Sequence, residues 1–171
     1  MINMGQKEEI SIRKAYETDL SQILLIMGEL ASELPRDLFV PSTPREIKDA
    51  ILNKNSFILV AEKEENVCGG CIIIKPNKKN HYFDLATPSE CVIFDSLFLI
   101  SACRGLDIAP LLIQKALETI RTEYKSAKYV YCSINNKNVK SLKTMTKAGF
   151  SYFATKNLYG GLSREVFFLE L

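Results

Sequence analysis

One run of residues, 91–100, constrains the fold more than any other part of the sequence. The run is apolar except for Asp95 and Ser96. A continuous apolar run of this length is typical of a β-strand that is covered on both faces. A turn over residues 101–107 follows, and helical periodicity begins after it. The sequence therefore predicts a central strand that leads through a turn into an amphipathic helix. The apolar face of that helix comprises Leu112, Ile113, Ala116, Leu117 and Ile120.

The rest of the chain alternates between strand patterns and helical patterns. Helices are predicted from Thr18, as N-cap, to Pro35, and from the capping box that begins at Thr43 to Leu52. The pair Gly69-Gly70 is assigned to the connection of a hairpin. The order β-α-α-β-β-β-α-β-α-β-β predicts an α+β (mixed α/β) fold, with helices on both faces of a mostly antiparallel sheet. The other predicted elements are strands at 10–14, 57–61, 71–74, 129–134, 150–156 and 165–171, a loop over 75–90 and a helix at 138–147.

Bulk properties limit the classes of function. A chain of 171 residues is expected to form a single domain, over residues 1–171. The formal net charge of +2 gives no reason to expect nucleic acid, and no apolar run reaches the roughly 18 residues that suggest a membrane span. The polar N-terminus and the odd number of cysteines, five, indicate a reducing compartment. We therefore expect a cytoplasmic protein without membrane or nucleic-acid partners.

The turn after the apolar strand contains Arg104-Gly105, immediately before a helix. Free backbone amides at a helix N-terminus, together with the helix dipole, favour an anion, and an arginine there adds a cation. This pattern alone is weak, because every buried strand must turn somewhere. It predicts a candidate anion site that needs support from elsewhere in the chain.

That support comes from a second motif further along the chain. Leu97-Phe98-Leu99 followed by Arg104-Gly105 is similar to the fourth strand and the pyrophosphate loop, R/Q-x-x-G-x-G/A, of the GNAT N-acetyltransferase superfamily. The segment from Asn138 to Gly149-Phe150 resembles the later signature of that family, N-x-x-A-x-x-L-Y-x-x-x-G-F. The predicted element order also agrees with this family from Ile10 to Leu171. The resemblance implies a GNAT fold with a twisted sheet of six to seven strands.

The resemblance also implies a cofactor and a reaction. In this family acetyl-coenzyme A lies where the fourth and fifth strands splay apart, with its pantetheine arm paired to strand backbone. The backbone of Leu97, Phe98 and Leu99 is then expected to hold the pantetheine, and Leu99 to polarise the thioester. Asn138 is expected near the cofactor, a role compatible with that of a plain helix N-cap. The residues expected around the pyrophosphate are Arg104, Gly105, Leu106, Asp107, Ile108 and Ala109. The reaction implied is direct acetyl transfer to an amine of a small molecule or peptide.

Two residues depart from the family pattern. Asp107 stands at the middle glycine of the loop, where its carboxylate either points to solvent and weakens binding or caps the helix and occupies the anion site. We favour the first outcome, because a helix terminus offers several free amides. Met145 stands at the usual tyrosine, whose phenol protonates the departing thiolate, and a thioether cannot do so. These departures leave open the alternative of a catalytically degenerate GNAT-fold module that acts in binding or regulation, with weak or no affinity for coenzyme A.

The candidate general base is Asp95, the only charge in the central apolar run. A buried carboxylate needs partners or a raised pKa, and a raised pKa suits a group that accepts a proton from an amine. The other interpretation, an aspartate at a bulge or strand end bonded to backbone, is equally compatible with the pattern. Glu90 and His81 are weaker candidates, because a lone histidine in a polar loop is usually solvated.

The remaining signals assign no further site. Cys68 and Cys71 have CxxC spacing, but no second cysteine pair or histidine cluster accompanies them, so no metal is expected. No signature identifies the amine acceptor. A β-rich C-terminal end is compatible with a homodimer, which the sequence does not decide.

Overall fold

The computed structural model describes residues 9–171, in which seven strands form one sheet in the order β1-β2-β3-β4-β5-β7-β6. All neighbouring strands are antiparallel except β4 and β5, which are parallel. The strands are β1 (Ile10–Lys14), β2 (Ser56–Lys63), β3 (Asn66–Ile74), β4 (Cys91–Leu99), β5 (Tyr129–Ile134), β6 (Ser151–Leu158) and β7 (Leu162–Glu170). The α-helices are α1 (Leu20–Glu33), α2 (Pro44–Leu52), α3 (Ile108–Glu123) and α4 (Val139–Lys147). This order and the α+β class confirm the sequence prediction.

Helices cover both faces of the sheet, as predicted. The alternation of side chains along β2 sends Phe57 and Leu59 toward α3, and Ile58 and Val60 toward α1 and α2. Met145 of α4 joins the same core as α3. Because both faces of the central strands are covered, β2, β3 and the first part of β4 are apolar almost throughout. Within residues 9–171 no helix has both the length and the apolar character needed to cross a bilayer.

The prediction that Gly69 and Gly70 lie in a hairpin connection is wrong. Both lie inside β3, where the flanking strands approach the glycine backbone closely. A Cβ on Gly70 would lie 2.3 Å from the backbone oxygen of Leu59, and one on Gly69 would lie 2.3 Å from a methyl carbon of Leu99. These positions hold glycine because no side chain fits there.

The start of α1 also differs from the prediction, because Thr18 is not its N-cap. Thr18 lies within a single 3₁₀ turn, Glu17–Asp19, and α1 follows directly. The carboxylate of Asp19 accepts a hydrogen bond from the Tyr16 N–H at 2.7 Å and pairs with Arg13 at 2.8 Å. Arg13 lowers the pKa of Asp19. A partly buried ion pair, rather than a threonine hydroxyl, therefore fixes the entry to this helix.

The predicted loop between β3 and β4 is present, and it packs on the sheet. The side chain of Phe83 is fully buried. Its ring contacts those of Tyr129, Tyr131, Phe153 and Phe168. Because of these contacts, the loop covers the part of β5, β6 and β7 that α1 and α2 do not reach.

Candidate active site

The parallel strands β4 and β5 separate partway along their length. They pair at Cys91–Tyr129, Val92–Val130 and Ile93–Tyr131, and then the pairing stops, although β4 continues to Leu99 and β5 to Ile134. The space between residues 94–99 of β4 and 132–134 of β5 is here called the gap. It opens into a cavity of about 240 Å³. The sheet therefore has the splayed fourth and fifth strands that the resemblance implied.

A β-bulge in β4 lies where the separation begins. Ile73 of β3 pairs with Phe94 and Ile72 pairs with Ser96, so Asp95 is the extra residue. A bulge bends its strand and increases the local twist. The bend turns β4 away from β5 and directs the side chain of Asp95 into the cavity.

The register of β4 decides which of its peptide groups face the gap. The N–H of Ile100 donates to the carbonyl of Cys68 at 3.0 Å. Because successive residues of a strand direct their peptide groups to opposite edges, Phe98 also bonds to β3, opposite Gly70. The N–H and C=O groups of Leu97 and Leu99 consequently face the gap. Of the three residues expected to hold a pantetheine, these two have backbone groups without a strand partner, although the Leu99 carbonyl accepts a hydrogen bond from the Arg104 side chain. The ring of Phe98 is buried in the core beneath α1.

The cavity brings together residues from five parts of the chain. The connection between α1 and α2 closes one side, held to the β5–α4 turn by the Asn135 amide, which donates to the Asp37 carbonyl at 2.9 Å. The predicted site residues Asp95, Leu97 and Asn138 all line the cavity, whereas the turn before α3 does not. Further lining residues that the argument uses are Cys132, Ser133, Met145, Tyr159 and Arg164.

Asp95, the extra residue of the bulge, lines the cavity and has a shifted pKa. Burial raises its pKa from the ordinary 3.8 to about 6, with a smaller contribution in the same direction from the charge of Glu46. The hydroxyl of Ser96 donates to the carboxylate at 3.1 Å and opposes this rise. Asp95 therefore lies at a bulge, as one interpretation held, but its carboxylate bonds to the Ser96 hydroxyl and not to backbone. Its role as a base stays a prediction.

The turn before α3 presents a row of unused backbone donors. Gly105 and Asp107 have positive φ angles, of 80° and 58°, which turn the chain sharply into the helix. Among residues 9–171, no group accepts a hydrogen bond from the N–H groups of residues 105–109. Successive free amides in such a turn form a concave site that favours an anion.

Asp107 occupies the N-cap position of α3 without capping it. Its side chain accepts no hydrogen bond from the helix amides, and it is exposed. A left-handed conformation is one that aspartate tolerates better than most residues, and glycine better still. The carboxylate therefore leaves the donors free, which agrees with the outcome favoured from the sequence.

The sequence predicted that the side chain of Arg104 adds a cation to the anion site, but the guanidinium bonds to other protein groups. Its guanidinium pairs with Glu33 of α1 at 2.8 Å and donates to the carbonyl of Leu99 at 3.3 Å. The side chain thus ties the turn to α1 and to the edge of β4. Arg104 is therefore paired with a carboxylate at the surface.

On the other side of the gap, Asn138 and Met145 belong to α4. The side-chain oxygen of Asn138 accepts a hydrogen bond from the Ser141 N–H at 3.2 Å, so Asn138 is the N-cap of the helix. It also lines the cavity, and both roles considered for it are compatible. Met145 is 4% exposed and contributes its thioether to the same wall.

Two groups that contact β5 side chains were missed or misjudged from the sequence. His81 was expected to be solvated, but its ring nitrogens lie 2.9 Å from the Tyr131 hydroxyl and 2.8 Å from the Ala86 carbonyl. Tyr159, in the β6–β7 turn, has its hydroxyl 3.1 Å from that of Ser133. No sequence signal identifies these contacts, because each joins residues of different elements.

The CxxC cysteines lie inside β3, and their thiols are buried. Desolvation raises the pKa of Cys68 and of Cys71 to about 12. The thiolates that a metal or a redox reaction requires are therefore strongly disfavoured. In the part of the chain from residue 9 onward, no group of three or more potential metal ligands comes together.

An open sheet that splays between two parallel strands, with a donor-lined turn leading into the next helix, is the arrangement that the resemblance to acyl-coenzyme A-dependent transferases implied. Comparison with family models places the chain within that class. The model of the acetyltransferase (GNAT) family matches residues 24–150, and the chain belongs to this family. It is thus a GNAT-type acetyltransferase, as the two sequence motifs predicted. No curated protein matches the chain significantly.

Solved structures with the same fold cover nearly the whole chain. An N-acetyltransferase from Staphylococcus aureus Mu50 is 20% identical, with a TM-score of 0.75 over 95% of this chain and 98% of that one. An acetyltransferase of the GNAT family from Streptococcus pneumoniae is 14% identical, with a TM-score of 0.73 over 95% and 100%. YncA from Salmonella typhimurium, in a structure with its cofactor acetyl-CoA, is 17% identical, with a TM-score of 0.72 over 95% and 92%. At these identities the likeness establishes the fold.

Proposed function

We propose that the protein transfers the acetyl group of acetyl-coenzyme A to a primary amine of a small molecule or peptide, by direct attack within a ternary complex. The observation that carries this proposal is the gap, in which the peptide groups of Leu97 and Leu99 have no strand partner. Unpaired edge groups readily accept an extended ligand as if it were another strand. Pantetheine, with its two amides, has the chemistry of such a strand.

The cofactor would be held at two places along β4 and the turn that follows it. The amides of Gly105, Leu106, Asp107, Ile108 and Ala109 would bind the diphosphate, with the charge preference of the α3 N-terminus. Arg104 would support this turn through its ion pair with Glu33. The resulting path runs from the helix terminus into the gap and ends in the cavity.

The N–H of Leu99 would polarise the thioester carbonyl. A donor aimed at that oxygen stabilises the negative charge that develops as the amine attacks. Asn138 would border the cofactor from the opposite wall of the gap. Each of these roles uses a group that the fold already holds in place, so little reorganisation is needed on binding.

Asp95 would act as the general base. With a pKa of about 6, its carboxylate is ionised at neutral pH and remains basic enough to accept a proton. In the proposed step the amine nitrogen forms a bond to the acetyl carbon, the carbon–sulfur bond breaks, and the amine proton passes to Asp95. The coenzyme leaves as a thiolate, which its ordinary pKa of about 8.5 permits without an acid.

A second candidate is a binding module that has lost transfer activity, and Met145 is the observation that favours it. A thioether at this wall cannot protonate the leaving thiolate. The exposed carboxylate of Asp107, which leaves the amides of the turn free, weighs against it. The two functions differ in turnover and in affinity, because the binding module is expected to hold coenzyme A weakly or not at all.

Calorimetric titration with acetyl-coenzyme A, followed by an assay of free thiol released with a panel of amines, tests the proposal. We expect saturable binding and amine-dependent thiol release. Failure to bind at millimolar acetyl-coenzyme A would overturn the enzyme and leave the binding module, and binding without thiol release for any amine would also favour the binding module. Titration with pantetheine alone, which lacks the diphosphate, measures how much the turn before α3 contributes.

A further inference from the structure

A buried arginine in β7 has no polar partner. Arg164 is 5% exposed, and its Nε is the only buried side-chain nitrogen or oxygen in residues 9–171 that lacks a hydrogen-bond partner. In the same part of the chain no carboxylate lies within ion-pair distance of it. Buried polar groups are nearly always paired, and an unpaired buried charge is especially unfavourable. A group of this kind indicates a ligand that supplies the missing partner.

The position of Arg164 places it at the cavity. The pairing of β7 with β5 ends at Glu165–Ile134, so Arg164 is the first residue of β7 beyond the end of β5. Its side chain lines the cavity together with Asp95 and Tyr159. The turn that would hold the diphosphate is not part of this lining, so the cofactor phosphates are not the missing partner.

Tyr159 connects the guanidinium to the candidate base. The carbon of the Arg164 guanidinium lies 5.4 Å from the centre of the Tyr159 ring. Burial raises the pKa of Tyr159, the charge of Asp95 raises it further, and the charge of Arg164 lowers it. The phenol is therefore within electrostatic range of both charged groups, one of each sign.

We propose that Arg164 binds a carboxylate of the acceptor, so that the acceptor is an amine that carries a carboxylate, as an amino acid does. This inference rests on the proposed function and names its substrate class. A guanidinium offers parallel N–H donors that match the two oxygens of a carboxylate. With the carboxylate on Arg164, the amine of the same molecule would lie in the cavity that Asp95 also lines. The volume of the cavity, about 240 Å³, suits a small molecule or the end of a peptide.

The test compares amino acids with their carboxamides, which keep the amine and remove the anion. Thiol release is measured for each pair with the wild-type protein, with Arg164→Gln and with Arg164→Lys. We expect the wild type to prefer the acids at least about tenfold in kcat/KM, the loss that a removed charge-assisted hydrogen bond produces. Arg164→Gln should abolish the preference, Arg164→Lys should keep part of it, and both should bind acetyl-coenzyme A as the wild type does.

A matched control is Lys156→Gln. Lys156 lies opposite Arg164 on the neighbouring strand and carries the same charge, but it bonds to Asp84 outside the cavity. This variant should keep the preference for acids. Equal rates for acids and amides in the wild type, or a preference that survives Arg164→Gln, would overturn the inference.

The same experiment separates this inference from the proposed function. Acetylation of amines regardless of a carboxylate would leave the proposed function standing and overturn the role of Arg164. If acetyl-coenzyme A binds but no amino acid is acetylated, the substrate class is also wrong. Absence of acetyl-coenzyme A binding would overturn the proposed function and the inference together. The comparison of acids and amides in the wild type does not depend on whether any variant folds.

Discussion

Ile93 of β4 lies opposite Tyr131 of β5 in the last pair that these two strands form. Beyond this pair, the bulge at Asp95 turns β4 away, and the edge groups of Leu97 and Leu99 lose any strand partner. The proposed binding of acetyl-coenzyme A depends on those two residues. The first prediction therefore removes one of their donors.

Replacing Leu99 with proline removes the N–H that would polarise the thioester. This N–H bonds to no other strand, so the sheet loses no ladder hydrogen bond. We expect kcat to fall by a factor of about 10² to 10³, as is usual when one oxyanion donor is lost. Leu99→Ala is the control, because it shortens the side chain and keeps the donor. A proline variant that folds, by circular dichroism, and turns over like the alanine variant would contradict this role.

Asp107 is predicted to weaken cofactor binding through its charge. Its carboxylate is exposed and lies in the turn that would hold the diphosphate. Asp107→Asn removes the charge and keeps a residue that tolerates the positive φ of 58°. Relief of about 1 kcal/mol of like-charge repulsion should tighten the dissociation constant of acetyl-coenzyme A by roughly three- to tenfold.

Calorimetry at two salt concentrations checks the cause of that effect. Added salt screens exposed charges, so the advantage of Asp107→Asn should shrink as the ionic strength rises. Asp107→Gly adds the conformational freedom of glycine and should bind at least as tightly as the asparagine variant. Weaker binding by both variants would mean that the carboxylate assists the cofactor.

Met145→Tyr would supply the general acid for the departing thiolate that Met145 cannot provide. A phenol at this wall would supply the proton that a thioether cannot, and we expect kcat to rise several-fold while the dissociation constant of acetyl-coenzyme A stays the same. Met145 is almost fully buried, so the larger side chain should also lower the free energy of unfolding by about 1–3 kcal/mol. Met145→Phe is the control, because it adds a ring of similar size without the hydroxyl. A rise in kcat in both variants would assign the effect to packing.

Most of the fold was predictable because its elements carry local patterns. The capping box at Thr43 begins α2 as predicted, and Tyr129–Ile134 forms β5 over the predicted residues. Gly69 and Gly70 were misassigned because a glycine pair indicates a turn as readily as a close approach of strands. The approach itself, between β3 and its neighbours, depends on residues far apart in the sequence.

The candidate site was only partly predictable, for the same physical reason. Asp95 was identified because a lone charge in an apolar run is visible in the sequence. Arg164 and Tyr159 lie in the C-terminal hairpin, where the sequence pattern gives no sign of burial. They line the cavity because β5 ends at Ile134, one pair before Arg164 of β7. The ion pair of Arg104 with Glu33 joins residues in separate elements, so its side-chain direction was not predictable.

The role of Asp95 predicts opposite effects on activity and on stability when it is replaced by asparagine. As a base, Asp95 must be ionised, so the kcat/KM of the wild type should rise with pH through about 6. In Asp95→Asn the rise of kcat/KM near pH 6 should disappear, and kcat/KM should fall by a factor of about 10² or more. Its affinity for acetyl-coenzyme A should not change, because the carboxylate is placed toward the acceptor.

The sign of the stability effect follows from the raised pKa. The pKa of Asp95 is about 6 in the folded protein and 3.8 ordinarily, so the folded state binds the proton more tightly. The contribution of Asp95 to stability is therefore lost as pH rises from about 4 to about 6. Above that range the free energy of unfolding stays lower than it is near pH 4. Asp95→Asn removes the desolvated charge and should raise the free energy of unfolding by about 1–3 kcal/mol at pH 7.5, with little effect near pH 4. Urea unfolding at the two pH values measures the difference.

Glu90→Gln is a control in which removal of a carboxylate charge should change stability in the opposite direction. Lys128 and the Thr87 backbone lower the pKa of Glu90 to about 2, so its contribution to stability is present at neutral pH and disappears as pH falls through that value. Glu90→Gln should therefore reduce stability at pH 7.5 and leave the kcat/KM profile unchanged, since Glu90 lies outside the cavity lining. If Asp95→Asn destabilised the protein at neutral pH, or kept the rise of kcat/KM near pH 6, the carboxylate would be structural and another group would accept the proton.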